Sequence, residues 1–222
     1  MRKTLIIISL AVLALFAASC SANRGFVSSS TRADIRKVQQ FDPLSYVGVI
    51  ENGNNVSYND SLSVVARELF QKELSRNATL PKKEAVVIED SLVYNRVQNE
   101  IFALMRYVDG NVKVKTIPIP PAIDSILEAR GERFGLVAYN QGFTRTGGNY
   151  AGQVAKGVAI GLLTLGSYYT VPYKDKTRCG LIILDSKLNN IAYVATTESE
   201  SDPLKSNTYR DQLKKLLKKY KK

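Results

Sequence analysis

Two apolar runs near the carboxyl end decide the fold: CGLIILD at residues 179–185 and IAYVATT at residues 191–197. Each run has the length and the aliphatic, β-branched composition of a strand, and the connecting SKLNN at 186–190 suits a turn. The pattern predicts a β-hairpin from Cys179 to Thr197.

Upstream of the hairpin, short apolar runs alternate with segments in which apolar residues recur at helical spacing. The predicted strands are 46–50, 84–90, 112–117 and 134–139 with an extension to Thr144, and the predicted helices begin at Asp60 or Ser61, at Val93, at Pro121 and after Pro203. This order predicts an α/β fold: a single α/β sandwich with a mixed sheet, a C-terminal hairpin and a C-terminal amphipathic helix.

The first twenty residues have the composition of a secretory signal. Arg2 and Lys3 precede an uncharged run from Leu5 to Phe16. As a helix this run is about 18 Å long, too short for a hydrocarbon core of about 30 Å. A positive start, a short apolar run and small residues before residue 20 are typical of a signal peptide that is removed.

The sequence LFAASC at 15–20 resembles the lipobox of bacterial lipoproteins, although Ala17 stands where that family usually has Leu. The resemblance implies that residues 1–19 are cleaved off and that Cys20 carries acyl chains such as palmitate. Such chains would attach the protein to a membrane as a lipid anchor. Ser21 stands where an Asp would resemble an inner-membrane retention signal, so the resemblance implies the outer membrane. No acidic cluster follows Cys20, which favours the periplasmic side.

The mature chain is divided by composition. Residues 20–40 are mostly small and polar and lack sustained periodicity, which predicts a lipidated flexible tether. Residues 41–222 form the predicted α/β domain, with a Gly-rich apolar insertion at about 145–172. The order of elements in this domain resembles the amino-terminal domain of the Tol-system periplasmic protein, the curli-secretion lipoprotein and small envelope lipoproteins of unknown function. No catalytic or binding motif comes with that resemblance.

The composition excludes most familiar enzyme chemistry. The 222 residues include no His and two Cys, so Ser/His/Asp and Cys/His catalysis and His-ligated metals are excluded. The acidic residues that group together are neighbours along presumed strands, where their side chains point to opposite faces. They therefore cannot converge on one substrate bond as a catalytic pair of carboxylates does. We therefore expect no enzyme activity, no cofactor and no metal site. With Cys20 acylated, Cys179 has no partner for a disulfide within the chain.

The insertion is the most unusual stretch, reading GQVAKGVAIGLLTLG at 152–166. Val158 stands where a phosphate-binding loop needs its lysine, and the uncharged run is too short to span a membrane as a helix. Two interpretations remain. The insertion lies over the domain's own core, or it is an exposed element that contacts a partner or the bilayer through Gly157, Gly161, Leu162 and Leu163.

The last helix is amphipathic and strongly basic. Its apolar residues form one stripe that is predicted to dock on the domain: Tyr209, Leu213, Leu216, Leu217 and Tyr220. Lysines flank this stripe, among them Lys214 and Lys218. They form either a solvated face or a contact with a partner or an anionic membrane. Nucleic acid is excluded as a partner for an exported protein.

These features predict a lipid-anchored protein of the cell envelope that acts as a non-catalytic binding or assembly module for another envelope component. The alternative is a periplasmic lipoprotein that binds a small molecule or a glycan, for which the twelve tyrosines are the hint. The chain carries no pattern that specifies an oligomeric state.

Overall fold

The computed structural model of the chain describes residues 25–110, 114–165 and 172–221. The predicted signal peptide at 1–19, Cys20 and the end of the insertion at 166–171 lie outside these ranges. The predictions made for them stay predictions.

The predicted hairpin is confirmed and forms part of a larger sheet. Its strands pair from Thr177 with Ser199 to Asp185 with Asn190. A single turn of 3-10 helix at Ser186–Leu188 connects them, and Asn189 takes the left-handed conformation that closes the turn.

Within the described residues, eight strands form one mixed sheet: β1 Gly25–Phe26, β2 Val38–Gln40, β3 Leu44–Ile50, β4 Ser57–Tyr58, β5 Lys82–Ala85, β6 Phe134–Arg145, β7 Asp175–Asp185 and β8 Asn190–Ser199. The order across the sheet is β1-β8-β7-β6-β2-β5, and β3 lies between β6 and β4. Strand β6 is long enough to pair with β2 near its start and with β3 along its second half. Both pairings are parallel, whereas β6, β7 and β8 run antiparallel.

Five helices are described: α1 Asp60–Arg76, α2 Ser91–Asp109, α3 Pro121–Ala129, α4 Gly147–Leu163 and α5 Ser206–Leu216. Helices α1 and α5 share one core with a face of the sheet, and α2 and α3 share a second core with the other face. Residues along β6 alternate between the two cores, with Leu136 and Ala138 in the first and Val137 and Tyr139 in the second. The α/β sandwich with a mixed sheet is therefore confirmed.

The helix ends follow ordinary capping chemistry. The side chain of Asn59 accepts a hydrogen bond from the Leu62 amide at the start of α1, and that of Asp90 accepts from the Leu92 amide at the start of α2. Pro121 occupies the first turn of α3, where its missing amide hydrogen costs nothing. Helix α2 thus begins two residues before the predicted Val93.

The expectation of a flexible tether is wrong for residues 25–40. Strand β1 pairs with β8, β2 lies between β5 and β6, and Ile35 is buried in the first core. The Ser30 hydroxyl donates to Asp185, a buried carboxylate that also holds Arg133 through two hydrogen bonds. Strands of two or three residues leave no periodicity in the sequence, which is why this part of the domain resembled a linker.

Two predicted strands also need correction. Val114–Thr116 is a 3-10 turn rather than a strand, because Val114 and Ile117 lie three residues apart and both face the second core. Residues 112 and 113 lie outside the described ranges. The strand predicted at 84–90 is β5, which ends at Ala85. The following Val86 is buried, but Val87 is 79% exposed beyond the sheet.

Candidate functional site

The candidate site lies at one end of the sheet, where the parallel strands β3 and β6 both finish. The turn after β3 and the start of α4 meet at this end, and the residues that lead into β7 lie beside them. The backbone joins these parts, because the amide of Thr146 donates to the carbonyl of Ile50 at 3.2 Å and that of Arg145 to the carbonyl of Lys174 at 3.0 Å.

Arg145, the last residue of β6, holds these parts together. Its guanidinium donates to the carbonyls of Tyr173 at 2.7 Å and Gly53 at 2.9 Å. It also donates to the side-chain oxygens of Asn54 and Asn149, both at 2.8 Å. The residue is only 8% exposed, and all four acceptors are neutral. Neutral oxygens thus satisfy a buried cation, and the same bonds fix the first turn of α4 to the β3–β4 turn.

Beyond this base, helix α4 presents apolar side chains to solvent. Thr146 caps the helix, accepting from the Asn149 amide at 3.3 Å. At the other end Leu162 is 75% exposed, Leu163 84% and Leu165 95%. Gly157 and Gly161 are buried on the opposite side. Of the two interpretations of the insertion, these exposures favour an exposed element over a layer on the domain's own core.

A cleft of about 160 Å³ lies on the sheet, among residues of β4, β6, β7 and β8. It is lined by Val56, Tyr58, Gln141, Gly142, Phe143, Lys176, Arg178 and Glu198. The charges are paired: Arg178 donates to Asp109 at 2.6 Å, and Lys176 contacts Glu198 at 2.8 Å. The Nε atom of Arg178 is buried and has no hydrogen-bond acceptor among the described residues.

The candidate residues from the sequence fall in separate places. Gly157, Gly161, Leu162 and Leu163 share α4. Lys214 lies on α5 and Lys218 follows that helix, and both are exposed at the surface. Cys20 is outside the described residues.

Sequence reasoning missed Arg145 and Arg178. An isolated cation at the end of an uncharged strand pattern was the available signal for Arg145.

The described residues contain no group of three acidic or cysteine side chains placed to hold a metal ion. In the same part of the chain, we find no helix that combines the length and the apolar character needed to cross a membrane. Cys179 is fully buried in the first core, and burial raises the pKa of its thiol. The thiol is therefore packed as a small apolar group.

No protein-family model and no curated protein sequence matches the chain. Among solved structures, the PelC dodecamer of Paraburkholderia phytofirmans is 8% identical, with a TM-score of 0.37 over 86% of this chain and 90% of that one. A point variant of the same PelC dodecamer, in another crystal form, gives the same values. The C-terminal domain of LpoB from Salmonella enterica is 10% identical, with a TM-score of 0.29 over 78% of this chain and 87% of that one. At these values, the function has to be inferred from the chain's own residues.

Proposed function

We propose that the protein is a lipid-anchored component of the cell envelope that binds another envelope protein through α4 and catalyses no reaction. The observation that carries the proposal is the exposed apolar end of α4, including Leu162, Leu163 and Leu165. Soluble domains seldom expose adjacent large apolar side chains unless a partner covers them.

The base of α4 supports the same proposal. Ordering an apolar helix at an interface costs conformational entropy, and the Arg145 hydrogen bonds fix the first turn before any partner arrives. A helix whose first turn is fixed by hydrogen bonds and whose far end exposes large apolar side chains offers a preformed surface. The partner surface that fits it is apolar and grooved, as in other cases where a helix binds in a groove.

The lipid anchor is proposed from residues 1–20, whose charged start, apolar run and final cysteine resemble a lipoprotein signal. Replacing Cys20 by Ala should stop incorporation of a fatty-acid analogue and release the protein from membranes washed with high salt. Retention of Cys20→Ala protein in the washed membranes would place the attachment elsewhere.

The binding surface is tested by site-specific photo-crosslinking in intact cells. A photoreactive residue at Leu163 should give one defined protein adduct, and the same residue at Leu92, which is 78% exposed on α2, should give none. The adduct should disappear when Leu162 is changed to Ser. Adducts to lipid alone, to a second copy of the chain, or equally at both positions would overturn the proposal.

The cleft supports a second candidate function, the binding of a small molecule or a glycan. Tyr58 and Phe143 offer aromatic faces and Gln141 a planar amide. Arg178 offers a buried Nε–H that has no acceptor within the part of the chain that the structure describes. Aromatic faces beside planar polar groups suit a ring that carries hydroxyl groups. Saturable binding of a soluble saccharide that is lost in Phe143→Ala, with α4 variants unaffected, would favour this function over the first.

A further inference from the structure

The described chain begins beside its own basic carboxyl end. At Gly25 the nearest side-chain atom to an added Cβ would be Cδ of Lys219, at 3.4 Å. The ring of Phe26 stacks on Tyr220 with centroids 5.7 Å apart. The Cζ atom of Arg32 lies 5.8 Å from the same Tyr220 centroid, and its guanidinium donates to the carbonyl of Lys221 at 3.0 Å. The first strand and the last residues thus form one corner of the domain.

Because residues 25–40 are folded, the link to an anchor at Cys20 is short. Five residue steps separate Cys20 from Gly25, and fully extended chain covers at most about 18 Å over that distance. A tether of residues 20–40 would have allowed the domain to stand clear of the headgroups. The short link instead keeps this corner within a small distance of the bilayer.

The corner is basic, and we call it the basic corner: its exposed cations include Arg32, Lys218 and Lys221. Lys214, one turn earlier, contacts Asp211 at 2.9 Å, so its charge is largely offset. The apolar stripe of α5 is buried, with Leu213 and Leu217 in the first core, and so cannot enter the lipid. Contact with a membrane at this corner would be electrostatic.

We propose that the basic corner rests on the anionic headgroups of the membrane that holds the lipid anchor, which orients the domain. This inference rests on the proposed anchoring at Cys20. Each basic residue near an anionic surface contributes about a five-fold preference for contact, and the effect falls off within a Debye length of about 8 Å at physiological salt. A link of at most about 18 Å holds the corner close enough to the bilayer to enter that range.

The test uses the lipidated full chain in vesicles of phosphatidylcholine mixed with phosphatidylglycerol. An environment-sensitive dye is placed at Lys218→Cys and, in a second protein, at Arg106→Cys on α2, which packs on the other face of the sheet. Each change replaces one exposed cation, and Cys179 is buried and takes no label. Lipid-borne nitroxide should quench the dye at 218 severalfold more strongly than the dye at 106. High salt, or the pair Arg32→Glu and Lys221→Glu, should remove the difference, and Arg96→Glu should not.

The outcomes separate the two proposals. Protein that floats with the vesicles but shows equal quenching at both positions, or quenching insensitive to charge, overturns the orientation and leaves the lipid anchor standing. Protein that does not float with the vesicles overturns the anchoring and the orientation with it.

Discussion

The phenol ring of Tyr139 fills the space over the α-carbon of Gly180, its partner across the β6–β7 pair. The Tyr139 hydroxyl donates to Asp109 at 3.1 Å, and Arg178 donates to the same carboxylate oxygen at 2.6 Å. Burial raises the pKa of Tyr139, so the phenol stays protonated and keeps donating. The bare backbone at residue 180 thus lets one side chain join the end of α2 to the sheet beside the cleft.

Replacing Gly180 by Ala should destabilise the protein by about 1–3 kcal/mol, because the new methyl group overlaps the Tyr139 ring. Urea unfolding followed by circular dichroism measures the change. Gly152→Ala on α4 is the matched control, since an added methyl group there meets no atom of residues 25–110, 114–165 or 172–221 within 4 Å. The control should stabilise the helix by about 0.5–1 kcal/mol. A Gly180→Ala protein as stable as the native chain would mean that the ring moves aside freely.

How much of this architecture was predictable depended on the length of each helix or strand and on whether its apolar residues recur at a regular spacing. Helices α1 and α2 and the hairpin are long enough for their spacing to be recognised, and the stripe of α5 is buried as predicted. Strands β1 and β2 are too short for any periodicity and owe their place to partners distant in sequence. The hydrogen bonds of Arg145 join residues from three separate segments of the chain, so these residues share no local sequence pattern.

The fold of residues 25–40 can be tested by comparing the stabilities of Ala variants at two adjacent residues, Ile35 and Arg36. Ile35 is buried in the first core, and Ile35→Ala should lower the free energy of unfolding by about 2–5 kcal/mol. Arg36 is exposed, so Arg36→Ala should change it little. Thermal or urea unfolding of the two variants gives the comparison. If both variants are equally stable, residues 25–40 form the flexible tether that their composition suggested.

Glu73 makes stability depend on pH, because it joins α1 to α5. Its carboxylate accepts from Arg210 at 3.2 Å and from Ser206 at 2.6 Å. The hydrogen bond from Arg210, then that from Ser206, holds the pKa of Glu73 below its usual value of 4.5. A lowered pKa in the folded state means that the stabilisation is present above that usual value and is lost as the pH falls through the folded pKa.

We therefore expect Glu73→Gln to cost about 1–2 kcal/mol at neutral pH and progressively less below about pH 4. Urea unfolding at several pH values measures the difference from the native chain. Asp211→Asn on the exposed side of α5 is the control. The hydrogen bond from Lys214 also lowers the pKa of Asp211, but water screens this exposed pair, so its pH trend should be much smaller. A difference that stays constant on acidification would contradict the role of the ionised carboxylate.

Substitution of Arg145 tests whether its hydrogen bonds hold α4 at the first turn. Arg145→Met removes all four hydrogen bonds at the base of the helix while keeping a long side chain to pack under Phe143, which lies near the guanidinium. We expect amide exchange to accelerate along α4 and in the turn after β3, with a loss of about 1–3 kcal/mol in the stability of that region. Exchange in the β7–β8 hairpin should not change, because none of the four bonds reaches it.

Lys156→Met on the exposed side of α4 is the matched control, since it removes a cation from the same helix without touching the cluster. Arg145→Lys should give an intermediate result, because an ammonium group reproduces the charge but not the planar arrangement of donors. If α4 exchanges at the native rate in Arg145→Met, the helix is held along its length rather than at its base. The apolar face of α4 would then have to be partly engaged within the chain itself, which would weaken its assignment as a partner surface.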